Sequence, residues 1–380
     1  MTTLNANLIF QAGGSPITVI KEQAGILFFV LQGGLIYKQN TGLFLNIASR
    51  VLYPGLSEIG LLGLAFHPTD NTLFYLWFTE KPNVPPPGFN HINRLEGWKI
   101  VAGVPQRLVT YLRLPNPNSN HNGNNNIYYD TTSNRLILAT GDGGNSSLAQ
   151  NDNQLAGKVL SIDVNNAIWQ TNENNTPITM VSQLGIFSGV ITVIGKGIRN
   201  PTRIDEKDGV KFLSVAGQSN REFAFAFRNF NKNFGWRAFE GPNPTIVGTT
   251  VSFPTEVNQL LQSNSVWKPN ISYANSSAAG LTPAIIRGNA ITGIDYYSGN
   301  NIPALQFNMI YTDLSGQLFQ SVLPQSLSEL VYQLSQITNK ITVNNISGIY
   351  TTLYITSTGR LLVAAALTSG YVVANIYELS

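Results

Sequence analysis

Runs of β-branched and aromatic residues, bounded by Gly, Asn or Pro, follow one another along almost the whole chain, which is the pattern of successive short strands. The pattern predicts strands at Ile17–Ile20, Gly25–Leu31, Gly34–Tyr37, Leu43–Ile47, Gly60–Phe66, Leu73–Phe78 and Gln106–Leu114. It continues through Arg135–Thr140, Val159–Val164, Ile191–Ile194, Phe212–Val215, Ile291–Tyr297, Met309–Thr312 and Gln317–Val322. The last predicted strands are Ile337–Val343, Tyr350–Thr356, Leu361–Ala366 and Tyr371–Tyr377. Helical spacing is scarce, with Gln325–Leu334 suggesting at most a short turn of helix. Short, evenly spaced strands specify an all-β chain: a sandwich, a barrel or a propeller. Length chooses among them, because four-stranded blades absorb this many strands in one ring, at roughly 63 residues for each of six blades. The expected architecture is therefore all-β, a six-bladed β-propeller with four-stranded antiparallel blades, residues 1–380 forming a single domain. No strict internal repeat is visible, which argues against a repeat array. The proline-rich stretch Lys81–Asn90 reads as an extended surface loop.

Composition sharpens this picture. Only 11% of the residues are charged, against about 25% in ordinary soluble domains. Asn, Ser, Thr and Gln make up the difference, and their side chains bond to local backbone in turns and compete with helix. The balance of 23 basic and 20 acidic residues, without any basic run, excludes the electrostatic footprint of a nucleic-acid binder. Cysteine is absent, so disulfides and thiolate metal sites are excluded. Gly25–Tyr37, the longest apolar stretch, is interrupted by Gln32 and two glycines and is too short to span a bilayer. The N-terminal residues carry neither a basic region nor a sustained apolar core, so no signal peptide is expected, although a leader removed earlier stays open.

Three segments carry candidate chemistry. The first runs from Glu58 through Gly60, Gly63 and Phe66 to His67-Pro68. The second comprises His121-Asn122-Gly123, then Arg135–Asn145 with Gly141-Asp142-Gly143-Gly144, then Leu155–Asp163. The third is Gly197-Ile198-Arg199-Asn200-Pro201, followed by Asn233-Phe234-Gly235-Trp236 and Phe239-Glu240-Gly241. In this order, and with a weaker echo at Ile291-Thr292-Gly293 and Pro303-Ala304-Leu305, they resemble the soluble glucose/sorbosone dehydrogenases that use pyrroloquinoline quinone (PQQ). The resemblance covers roughly residues 55–320.

Oxidation of an alcohol needs a base for the hydroxyl proton while hydride leaves to an electrophilic acceptor. Histidine is the natural base near neutral pH, and a neighbouring carboxylate fixes its tautomer. The resemblance implies His121 as this base, Asp142 as its orienting partner and Arg199 over the quinone oxygens, with Asn200 beside it. It implies Glu58 on the cofactor and a calcium ion on the backbone carbonyls of Gly217 and Gln218. The competing bland readings are a loop histidine, a turn-forming aspartate and a strand-end ion pair for Arg199. His67 reads as a cap on its strand, His91 as a surface-loop residue, and Trp236 and Glu240 as packing and corner residues.

The departures are as telling. Where the family supplies a cation after the Leu of its penultimate blade, this chain has Leu314-Ser315-Gly316. Where it supplies two arginines before the last blade, the chain has Asn344-Asn345-Ile346-Ser347-Gly348-Ile349. Burying the carboxylates of PQQ without cationic partners is costly, and nearby cations such as Lys196, Arg203 or Arg287 are candidate substitutes that nothing in the sequence singles out. The acidic pair expected after Gly217 is Arg221-Glu222 here, which puts a second calcium in doubt. The reading that follows is a PQQ-dependent oxidoreductase acting on a sugar or related alcohol. The alternative is a degenerate, inactive propeller reused for carbohydrate binding or structure, and a calcium-centred lactonase-like hydrolase ranks third. A small sugar or a glycan is the expected partner, a homodimer stays open, and the family implies a periplasmic or extracellular setting.

Overall fold

The computed structural model describes residues 2–55, 57–81, 85, 87–166, 190–247, 250–263, 265–278, 287–322, 339–367 and 373–380. These residues form antiparallel sheets in a propeller-like arrangement. Six strands, labelled here β1–β6, each open one antiparallel run: Ile17–Gln23, Leu61–Phe66, Ile127–Asp130, Asn200–Lys207, Ile291–Tyr297 and Ile349–Ile355. Each touches the next in chain order, and β6 touches β1.

The sequence explains why these strands lie inside. β2 reads Leu-Leu-Gly-Leu-Ala-Phe and is buried along nearly its whole length, as expected of a strand with no solvent face. Apolar side chains fill the spaces between consecutive sheets. Val19, Phe28 and Ile36 meet Leu61, Phe74 and Phe78 in one such core, and Leu362, Ala364 and Ile376 meet Ile20, Phe29 and Leu31 in another. The second core joins the last sheet to the first.

The chain ends lie side by side. The N-terminal strand Thr3–Gly13 pairs antiparallel with Val373–Leu379, from Ala6 opposite Leu379 to Gly13 opposite Val373. Its first residues also pair in parallel with Asn339–Asn344.

A β-bulge recurs near the start of five of the six inner strands, at Thr18, Leu62, Thr202, Thr292 and Thr351. A bulge re-aims the side chain of its extra residue. Here it turns the four threonines toward a cavity at the entrance end of the inner strands.

Most predicted strands lie where their pattern placed them, within a residue or two. Several more were not foreseen: Thr3–Gly13, His91–Val101, Ile127–Asp130, Asn200–Lys207, Arg221–Phe227 and Ile271–Asn275. A short helix at Pro254–Gln262 was also missed, although Pro254 is a favoured first helical residue. The helical turn expected at Gln325–Leu334 lies outside the described residues, as does part of Lys81–Asn90.

Candidate functional site

Three connections meet at the entrance of the cavity. The first, between Asn116 and β3, carries His121 in the left-handed region at φ 58°. Such a backbone costs about 1–3 kcal/mol for a residue with a side chain and persists only where the surroundings dictate it. Here they do. The His121 N–H donates to the Glu58 carboxylate, and Asn122 Oδ1 accepts from Asn93 Nδ2 and Asn116 Nδ2, each at 2.8 Å, and from His91 Nε2 at 2.7 Å.

The second connection follows strand Arg135–Ala139 and brings Asp142, fully buried, against the His121 ring. Nδ1 of His121 lies 2.5 Å from Asp142 Oδ1. Asp142 is itself clamped, its Oδ1 accepting from the Gly144 N–H at 2.8 Å and its Oδ2 from Trp236 Nε1 at 2.7 Å. Gly141 makes the approach sterically feasible, because a Cβ there would lie 1.8 Å from the His121 carbonyl oxygen. With Nδ1 committed, Nε2 is the ring nitrogen left for chemistry, and the side chain keeps 11% of its surface open.

The third connection enters β4. The Asn200 amide ties it to the first, donating to Glu58 Oε2 at 3.1 Å and accepting from the Gly123 N–H at 3.0 Å. Gly123 is required here because a Cβ would sit 2.2 Å from the Pro201 carbonyl oxygen. Arg199 donates from Nη1 to the carbonyls of Ala216 at 3.2 Å and Gly217 at 2.7 Å, with its guanidinium carbon 5.6 Å from the centre of the Trp236 ring. Burial holds its pKa below the ordinary arginine range, opposed by Asp142 and Glu58.

The cavity beside these groups has a volume of about 510 Å³. Its wall contains Gln32, Glu58, Asn120, Gly123, Asn124 and Asn200 together with the four bulge threonines. Among the described residues Glu58 is the single charged side chain in that wall. The cations that sequence reading held in reserve are engaged elsewhere. Arg203 is buried between Asp205 and Asp295, and Lys196 pairs with Asp152. Arg287 donates to the Ala278 carbonyl and is not part of the wall.

The structure therefore brings Glu58, His121, Asp142, Arg199 and Asn200 together. Gly217 joins them through its carbonyl, whereas the Gln218 N–H donates to Glu240 Oε1 at 2.8 Å. Among the described residues there is no cluster of three or more His, Asp or Glu able to hold a metal ion. Two sequence-based assignments change. His91 is not a surface-loop residue; it opens a strand, is fully buried and supports the His121 loop through Asn122. Burial holds its pKa below the ordinary histidine value, so its ring is neutral near pH 7. Trp236 does more than pack, because its indole N–H holds Asp142. Its place in Asn233-Phe234-Gly235-Trp236 was the available signal, but nothing local pointed to a partner nearly a hundred residues away. His67, as expected, caps its strand, with Nδ1 accepting from the Asp70 N–H at 3.1 Å.

The sequence model of the glucose/sorbosone dehydrogenase family matches residues 17–342. The chain belongs to that family. Solved structures similar to this member share its fold over nearly the whole length. An oxidoreductase of Thermus thermophilus, described as a glucose dehydrogenase, has a TM-score of 0.67 and 18% identity, covering 99% of this chain and 100% of its own. The PQQ-bound form of the Streptomyces coelicolor aldose sugar dehydrogenase has a TM-score of 0.63 and 17% identity, covering 100% and 99%. The soluble aldose sugar dehydrogenase of Escherichia coli in its apo-form has a TM-score of 0.66 and 14% identity, covering 100% and 99%.

This member's cavity is a poor match for PQQ. Carboxylates leaving water need basic partners, and the one charge in the described wall, Glu58, has their own sign. No helix among the described residues is long and apolar enough to cross a membrane.

Proposed function

We propose that this chain is an oxidoreductase acting on a secondary alcohol or hemiacetal carbon of a sugar, on a single-domain propeller of six four-stranded blades. The observation that carries the reading is the His121–Asp142 pair, closed off by Trp236 and set beside a cavity whose wall carries threonine hydroxyls and side-chain amides. Asp142 holds the imidazole with Nδ1 protonated, so Nε2 is a lone-pair base and the imidazolium formed is stabilised in place. The substrate hydroxyl proton passes to Nε2. The electron pair of the adjacent C–H bond leaves as hydride to a two-electron acceptor, the class of co-reactant every alcohol oxidation requires. The carbon becomes a carbonyl, and the imidazolium returns its proton to water. Hydroxyl and amide groups around the cavity suit an uncharged polyol, and its volume accommodates a monosaccharide.

The test is a titration of the purified chain with PQQ, with and without calcium, followed by addition of aldoses and an artificial acceptor. Sugar-dependent reduction abolished by His121→Ala supports the proposal. PQQ dependence, which the relatives suggest and the cavity wall opposes, is read from the same titration by absorbance. No sugar-dependent reduction with PQQ or with uncharged quinones overturns the oxidoreductase reading.

A further inference from the structure

Arg199 sits against the Ala216 and Gly217 carbonyls. Four carboxylates act on its guanidinium: Asp142, Glu58, Glu222 and Glu240. No Lys or other Arg makes an ion pair with any of them among the described residues. Each carboxylate is instead engaged by N–H donors. Glu240 Oε1 accepts from the backbone N–H groups of Gln218, Ser219 and Asn220, each at 2.8 Å. Glu222 accepts from the N–H groups of Gly217 at 3.2 Å and Ile291 at 3.1 Å, and from Asn275 Nδ2 at 2.8 Å.

Calcium is bound by oxygen ligands at about 2.3–2.6 Å, typically six to eight of them. The Gly217 carbonyl, one of the two expected to hold it, already accepts from Arg199 Nη1 at 2.7 Å, and the neighbouring Ala216 carbonyl accepts at 3.2 Å. A metal ion and the guanidinium therefore compete for the same oxygen and the same negative field. The guanidinium also lies near the face of Trp236, whose N–H is committed to Asp142, so the position is built from several sides. A side-chain cation cannot be lost by dilution or chelation. It brings one charge where calcium brings two, and the difference is met by the N–H donors on each carboxylate.

We infer that Arg199 is the resident cation of this site, standing in for a divalent ion on the Gly217 carbonyl, so that the cavity is held together without calcium. This rests on the contacts and charges around Arg199 and not on the proposed reaction, and its test reads no activity.

Thermal unfolding is followed for the wild-type chain, Arg199→Met and Arg199→Lys, each in EDTA and in saturating CaCl2. The wild type is expected to melt at the same temperature in both. Arg199→Met, which frees both carbonyls and leaves the carboxylates without a fixed cation, is expected to be less stable in EDTA. Calcium should raise its melting temperature by about 2–5 °C, as a ligand binding only the folded state does. Arg199→Lys is expected to respond to calcium less than Arg199→Met. Stabilisation of the wild type by calcium, reversed by EDTA, overturns the inference, as does a folded Arg199→Met indifferent to calcium. If Arg199→Met does not fold in EDTA, recovery in calcium supports the inference. If it folds in neither, calorimetric titration of the wild type decides: calcium heat overturns the assignment and its absence upholds it.

Discussion

Trp236 shows how much a single N–H can govern. Among the described residues its indole is the one side-chain donor to Asp142 other than the His121 ring. Trp236→Phe keeps an aromatic face beside Arg199 but removes that donor, leaving a buried carboxylate oxygen short of a partner at a cost of about 1–3 kcal/mol. Asp142 then becomes the stronger acceptor from His121, and the imidazolium is favoured. The expected outcome is an acid limb of the pH–rate profile displaced to higher pH, with turnover at pH 7 lowered roughly tenfold. Unchanged limbs in the variant would show that Trp236 only packs. At this scale the sequence was partly legible. Glu58, His121, Asp142, Arg199 and Asn200 were named together because each sits in a short motif. The roles of Asn122 and His91 were not legible, because they arise from contacts across 31 positions of chain, where no local pattern reaches.

Glu222 belongs to the scale of elements, since its carboxylate gathers the start of one strand at Ile291, the end of another at Asn275 and the residue just past a third, Gly217. Burial pushes its pKa up from 4.5 to about 7. The folded state therefore holds this proton more tightly than the unfolded chain. The resulting stability is fully present below about pH 4.5 and is lost as the pH rises to about 7, a span worth roughly 3 kcal/mol for this group. Chemical denaturation across that range is expected to show a falling contribution that Glu222→Gln removes. A slope identical in both proteins would rule it out. The loop of His121 offers a second test. Asn122→Ala strands three donors, on His91, Asn93 and Asn116, and is expected to lower stability by about 2–4 kcal/mol. Turnover should fall with it, because the backbone that aims His121 loosens; calorimetry and kinetics on one preparation check both. The strands themselves were legible wherever apolar residues ran unbroken, as in Leu61–Phe66. They were missed where charged residues interrupt the run, as in His91–Val101, whose Glu96 is nevertheless fully buried against Arg50 and Arg94. Ion pairing lets a strand carry charge inward, and a pattern of apolar positions does not register it.

The whole molecule turns on an axis plugged by charge. Arg203, 1% exposed, reaches Asp205 and Asp295 from β4, and Lys21 of β1 joins at Asp205. Removing one member of such a buried set leaves the others uncompensated, so Arg203→Met is expected to cost about 3–5 kcal/mol in equilibrium unfolding. A loss below about 1 kcal/mol would mean that water enters the axis and screens the carboxylates. The pairing of Thr3–Gly13 with Val373–Leu379 carries a different consequence. Contacts between residues so distant in the chain carry the largest loop-closure cost and form late. Until Val373–Leu379 has been synthesised, residues 6–13 of the first strand lack the antiparallel partner they take in the folded state. The wall that Thr18, Thr202, Thr292 and Thr351 make together draws on both halves of the chain. A nascent chain that has not yet reached Thr351 therefore has an open edge and an incomplete cavity wall.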